Sequence, residues 1–147
     1  MGRIGARFMK DGIQMTEISW FAVIVAAAAS FGFGSVYYMV LSTPWVSALG
    51  KTMAEMQADQ SARPFIVAAL SQILMASILA RVIAASGPVT MENGIGAGFL
   101  MWLGFVLTTM AVNHGFQGAK RELTLIDGGH WLVVLVIQGL VLGIMGA

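Results

Sequence analysis

Four stretches of this sequence run for close to the width of a lipid bilayer with almost no charge, and the acidic and basic residues are gathered mainly in 3–17, 51–63 and 120–127. The stretches are Trp20 to Leu41, Phe65 to Ser86, Ile95 to Asn113, and Trp131 to Ala147, the last entered through His130. A hydrocarbon core about 30 Å thick takes roughly 20 apolar residues at about 1.5 Å of helix rise each. In lipid each stretch must be helical, because an unpaired amide is costly there and isolated strands cannot close. A soluble fold is excluded by composition. Only 10% of the 147 residues are charged, against about 25% in an ordinary domain, which leaves too little polar side chain to cover a surface. The expected fold is an all-α integral membrane protein, a single domain over 1–147 with four transmembrane helices in a compact bundle.

Between the first two spans, Thr43 and Pro44 have the look of an N-cap followed by proline at the first helical position. Trp45, Leu49, Met53 and Met56 then recur at helical spacing, with Lys51, Glu55 and Asp59 on other faces. This predicts a short amphipathic interfacial helix over 44–59. Residues 1–19 form an extension with Arg3, Arg7 and Lys10 on one side and Ile4 and Phe8 on another. A secretory signal is disfavoured because the following apolar run continues to Leu41, longer than a signal core. The third connection is expected over Gly115 to Gly129, with Asp127 as N-cap of the fourth helix.

Lipid is as apolar as leucine, so helices associate in it by close backbone approach through small residues. Each span supplies them: Ala22, Ala26, Ser30 and Gly34 in the first, Ala76, Ala80 and Ala84 in the second, Gly94 and Gly98 in the third, Gly139, Gly143 and Ala147 in the fourth. Polar groups inside a membrane are functional candidates by default. Arg81 lies one to two turns from the end of helix two, where its long side chain can reach the interface or pair with Glu92, Glu17 or a ligand. Gln72 and Gln138 are placed to bond across the bundle; with Ser30, Thr108 and Thr109 they could instead line a polar pathway. Asn113, His114, Asp127 and His130 flank one connection. The bland reading is helix capping; the sharper one is a single polar pocket with a histidine that titrates or binds a ligand.

Other chemistry is thinly supplied. The net charge of +1 gives no field for nucleic acid, and the absence of cysteine removes thiolate metal sites and thiol nucleophiles. The eleven methionines suit packing better than a metal, and no metal or cofactor is expected. H-E-x-x-H, nucleophile-elbow, P-loop and dinucleotide signatures are missing, so an enzyme is not expected.

The segment GFLMWLGFVLTTM from Gly98 to Met110, with Val112, Asn113 and the later LIDGGHWLV beginning at Leu125, resembles the domain of unknown function 1761 family of small four-helix bacterial membrane proteins. Arg63, Pro64 and Phe65 match that family's basic-Pro-Phe start of helix two, and Ala48, Leu49 and Gly50 its loop. The likeness covers about residues 15 to 147. Two departures stand out. Tyr37 and Tyr38 are followed by Met39 and Val40, with proline displaced to Pro44, and His130 stands where the family commonly has tyrosine. The resemblance implies a four-helix fold in the bacterial inner membrane and supplies no activity.

The expected role is therefore a non-enzymatic helix-packing component in contact with the lipid bilayer. It would be either a homo-oligomer or an accessory subunit of a larger membrane complex, respiratory or photosynthetic in kind. The alternative is a small channel or transporter. Four crossings put both termini on one side. The basic residues divide evenly, Arg3, Arg7, Lys10 and Arg81 toward that side and Lys51, Arg63, Lys120 and Arg121 toward the other. With the N-terminal extension discounted, the balance favours both termini outside.

Overall fold

A computed structural model describes residues 18–58 and 61–146. Its helices are α1 Trp20–Val40, α2 Ser42–Ala48, α3 Met53–Ala58, α4 Arg63–Ser86, α5 Met91–Gln117 and α6 Arg121–Met145. Four of these, α1, α4, α5 and α6, have 21, 24, 27 and 25 residues and are long and apolar enough to cross a membrane. Residues 1–17 of the expected N-terminal extension, Asp59 at the end of the expected interfacial helix, and Ala147 lie outside the described residues.

Local chemistry sets the helix ends. Ser19 caps α1 by accepting from the Ala22 amide at 3.3 Å, and Thr90 caps α5 by accepting from Asn93 at 3.3 Å. Pro64 fits in the first turn of α4, where its missing N–H leaves no bond unmade. The second and third spans therefore begin at Arg63 and Met91, earlier than the expected Phe65 and Ile95.

Two expectations about the connections are corrected. Gly115 to Gly129 is not a loop: α5 continues through Asn113 and His114 to Gln117, and α6 starts at Arg121. The residue that needs the left-handed backbone is Gly118, with φ at 65°; there the Ala119 amide bonds the His114 carbonyl at 2.9 Å and Gly118 bonds Gly115 at 3.3 Å. Asp127 consequently lies inside α6, whose N-cap is Lys120. The interfacial helix over 44–59 is two helices, broken at Gly50 with φ at 73°. Gly50 and Lys51 bond back to Ser47 and Val46, closing α2. Thr52 and Glu55 then restart the chain as a reciprocal capping box: the Thr52 amide donates to Glu55 Oε2 at 2.7 Å and the Glu55 amide to Thr52 Oγ1 at 3.3 Å. Those Thr52 bonds hold the Glu55 carboxyl below the usual carboxylate range, and Lys51 adds to the effect. Thr43 is not a cap, because α2 already begins at Ser42 after a turn at Leu41.

Helix α6 occupies the centre, packed against α1, α4 and α5, while α1 also packs on α4 and does not touch α5. The α1–α4–α6 contact is built on small residues: Ala22, Ala26, Ser30, Gly34, Ala76 and Ala80 are buried and Ala84 is half-buried, around Val23, Leu79, Ile83 and Leu142. The α5–α6 seam is tighter. A methyl group on Gly94 would overlap the Gly139 carbonyl, one on Gly98 the Leu135 carbonyl, and one on Gly143 the Thr90 carbonyl. These contacts step four residues down α5 as they step four up α6, so two antiparallel backbones run in direct contact. The seam ends where Trp102 replaces the glycines. From Trp102 to Leu107 the helix widens to a π-helix, and from Trp102 to Gln117 no residue is fully buried; Trp102 and Val106 are half-buried against the core, with Trp102 Nε1 donating to the Gly128 carbonyl at 2.8 Å. Thr108 Oγ donates to the Gly104 carbonyl at 2.8 Å within that widened segment.

Candidate functional site

Two polar clusters lie among the apolar helices, and both centre on α6. The first is closed on itself. Ser30, Gln72 and Gln138, from α1, α4 and α6, are all buried. Gln138 Nε2 donates to Gln72 Oε1 at 2.7 Å and to Ser30 Oγ at 3.0 Å, and the Ser30 hydroxyl lies 2.8 Å from the same Gln72 Oε1. Gln72 Oε1 is thus the shared acceptor, while Gln138 Oε1 has no partner among the described residues. The small residues on either side, Ala26 and Ala76, leave room for three polar side chains to meet between these helices.

The second cluster sits nearer the end that carries the first and third connections, which are tied together by Lys120 Nζ donating to the Ser47 carbonyl at 2.8 Å. Asp127 Oδ1 accepts from the Tyr38 hydroxyl at 2.8 Å and from Trp45 Nε1 at 3.0 Å, and Tyr37 donates to the Ile126 carbonyl at 3.0 Å. One carboxylate thereby fastens α1 and α2 to α6. Bonds to an ionised acceptor are each worth about 1.5–3 kcal/mol in general, and more modest values, near 0.6 kcal/mol, are usual between membrane helices. One turn further along α6, His130 is 5% exposed and enclosed by Phe33, Tyr37, Tyr38 and Trp131, with ring centroids 6.2, 5.6, 4.7 and 4.9 Å away. Gly34 makes the room: a Cβ there would stand 2.7 Å from His130 Nε2. No hydrogen bond reaches the imidazole among the described residues, and Nδ1 is buried without a partner.

Beside His130 a cleft of about 480 Å³ opens between α1 and α4, with Tyr38 and Phe31 on one wall, Phe65, Ala68 and Gln72 on the other, and His130 and Trp131 of α6 at its back. The cleft therefore touches both polar clusters.

The sequence-predicted pocket of Asn113, His114, Asp127 and His130 does not form as one site. Asp127 and His130 share the cluster just described. His114 Nδ1 instead pairs with Thr124 Oγ1 at 2.8 Å, and Asn113 is exposed on α5. The grouping fails because Asp127 and His130 sit inside α6, turned toward α1, whereas Asn113 and His114 belong to a helix that α1 never meets. Of the pathway set, Ser30, Gln72 and Gln138 converge, whereas Thr108 and Thr109 are exposed on α5; Arg81 is exposed on α4. Tyr37, Tyr38, Trp45 and Phe33 were not singled out as site residues. Their only signal was the position of amphipathic rings at the end of a span, where such rings place a polar tip toward the interface.

A family model described as "Protein of unknown function (DUF1761)" matches residues 21–143. The chain belongs to that family. The DUF1761 match runs from the first turn of α1 into the last turn of α6, so it contains both polar clusters, the cleft and the glycine seam. The Ile126–Asp127 pair on which the resemblance rested is where Tyr37, Tyr38 and Trp45 anchor. No curated protein and no solved structure matches the chain.

Proposed function

We propose that this is a multi-pass protein of the bacterial inner membrane that works without catalysis, as a helix-packing component assembled with copies of itself or with other membrane subunits. The observation that carries the reading is the division of α5. Its first half runs in direct backbone contact with α6, while Trp102 to Gln117 has no fully buried residue: it keeps one half-buried face, Trp102, Val106, Leu107, Met110 and His114, and leaves its other faces open. That outer half presents Gly104, Thr109 and Asn113 on the surface beside Phe105 and Val112, a mixture of small, polar and apolar groups suited to another helix. The membrane setting is supported by the outer faces, where Leu70, Leu74 and Phe105 are each more than 60% exposed.

The interior polar groups support a packing role over a channel. Ser30, Gln72 and Gln138 bond to one another, and the threonines that a pathway would share with them face outward. Lys51, Arg63, Lys120 and Arg121 lie on the first and third connections or at the helix starts that follow them. With the N-terminal extension discounted, four basic residues at that end stand against Arg81 alone, which supports a cytoplasmic placement for that end and both termini outside. Extraction in a mild detergent followed by native mass spectrometry tests the assembly. The expected particle exceeds the 15.6 kDa chain, as a multiple of it or with reproducible foreign subunits. A lone chain at membrane-like concentration would overturn the reading.

A further inference from the structure

We propose that the cleft between α1 and α4 binds a neutral, ring-bearing amphiphile drawn from the lipid phase, with one oxygen of the ring hydrogen-bonded to His130. The site does not depend on assembly through α5, which contributes no residue to it. Its volume, about 480 Å³, falls in the range of about 300–1,000 Å³ usual for small-molecule sites. Its walls are chiefly aromatic and aliphatic, and among the described residues no Lys, Arg, Asp or Glu lines it. An ion would find no countercharge there, so the ligand is neutral.

The polar content of the cleft is small and specific. The imidazole of His130 offers one N–H and one lone pair; no hydrogen bond to it is made among the described residues, and Nδ1 is buried without a partner there, in a residue only 5% exposed. Buried polar groups are ordinarily bonded, so this ring is a built hydrogen-bonding position that none of the described residues fills. The Tyr38 hydroxyl is already committed to Asp127, which fixes the wall and leaves His130 as the recognising group. Phe31 also lines a second, wholly aliphatic and aromatic pocket of about 200 Å³ between the same two helices, with Ile24, Ala27, Ala28, Ala69 and Ile73. A ring beside His130 and a hydrocarbon tail in the second pocket satisfy both. Quinones and alkyl phenols share that chemistry.

The test uses the purified full chain in nanodiscs and decylbenzoquinone as probe, comparing quinone retained by protein-bearing discs with that in empty discs. Saturable retention near one quinone per chain is expected. Decylbenzene, which has the ring and tail but no oxygen, is expected to bind at least 10-fold more weakly. His130→Phe, which keeps a ring in the aromatic enclosure, is expected to weaken quinone binding at least 10-fold. Ala68→Phe, which fills the cleft without touching the histidine, is expected to abolish it, and this variant serves if the histidine variant does not fold. Quinone retention equal to empty discs overturns the proposal, as does equal binding of decylbenzene. A phospholipid retained by the wild type and lost in Ala68→Phe, with no quinone bound, assigns the cleft to an acyl chain and also overturns it.

Discussion

Replacing Gly94 by alanine adds one methyl group to the α5–α6 seam, and the structure says what that methyl meets. It would overlap the carbonyl oxygen and carbon of Gly139, backbone atoms that have no rotamer to change. Relief requires the helices to part, which also opens the Gly98–Leu135 and Gly143–Thr90 contacts in the same register. Gly96→Ala is the matched control, since a Cβ there has nothing within 4 Å. Both substitutions gain the same helix propensity, up to about 1 kcal/mol, so the difference between them isolates the steric cost. Overpacking costs about 1–3 kcal/mol, and rigid backbone on both sides puts this case toward the upper end. Unfolding in mixed micelles by titrated denaturing detergent, followed by helical circular dichroism, reads both variants. The expectation is Gly96→Ala at or above wild-type stability and Gly94→Ala below it by about 1–2 kcal/mol once the propensity gain is offset. Equal stabilities would refute the direct backbone contact.

Other expectations follow from the polar clusters and the connections. Gln72→Leu should destabilise more than Gln138→Leu by about 1 kcal/mol, since Gln72 Oε1 is the acceptor shared by Ser30 and Gln138 whereas Gln138 already carries an unpartnered oxygen; the reverse order in the same unfolding assay would contradict the network. Asp127→Ala should strand the Tyr38 and Trp45 donors and cost about 1.5–3 kcal/mol, with Trp45 emission shifting to the red as α2 detaches; unchanged emission would contradict the anchor. The Glu55 carboxylate is lowered by Thr52 and Lys51, so its contribution to capping α3 is full above the unfolded carboxyl value and is lost as pH falls through the lower folded value. The Thr52 amide proton shift should therefore titrate with a midpoint below that of an ordinary glutamate, and a midpoint at or above it would contradict the cap. Because the chain has no cysteine, single cysteines report orientation directly: an impermeant maleimide applied outside should label Ser86→Cys and spare Lys51→Cys, and the opposite pattern would invert the topology.

The four long helices were legible because bilayer width and charge placement act on whole segments. The small-residue stripes were legible for the same reason, since their four-residue spacing follows from helix geometry alone. Glycine's meaning was not. Gly115, Gly128 and Gly129 read as chain breaks, yet Gly128 lies under Leu107 and Gly129 faces the Tyr37 hydroxyl, both inside α6. Gly50 and Gly118, which do break helices, look no different in sequence, because a positive φ and a close approach both require the missing Cβ. The Thr52–Glu55 box has a readable spacing, but it lies within the longer amphipathic pattern of 44–59, which masks the break at Gly50. The His130 enclosure depends on Gly34 and three aromatic residues roughly a hundred positions earlier, and only the packing of α1 on α6 brings them together.

The outer half of α5 is where the proposed role is most exposed to disproof. A spin label at Thr109→Cys, measured in native membranes against one at Leu74→Cys on the apolar outer face of α4, reads whether another helix covers α5. Both positions are open within the chain. Restricted motion at 109 with free motion at 74 is the expected result. Equal, lipid-like motion at both would contradict assembly through this face.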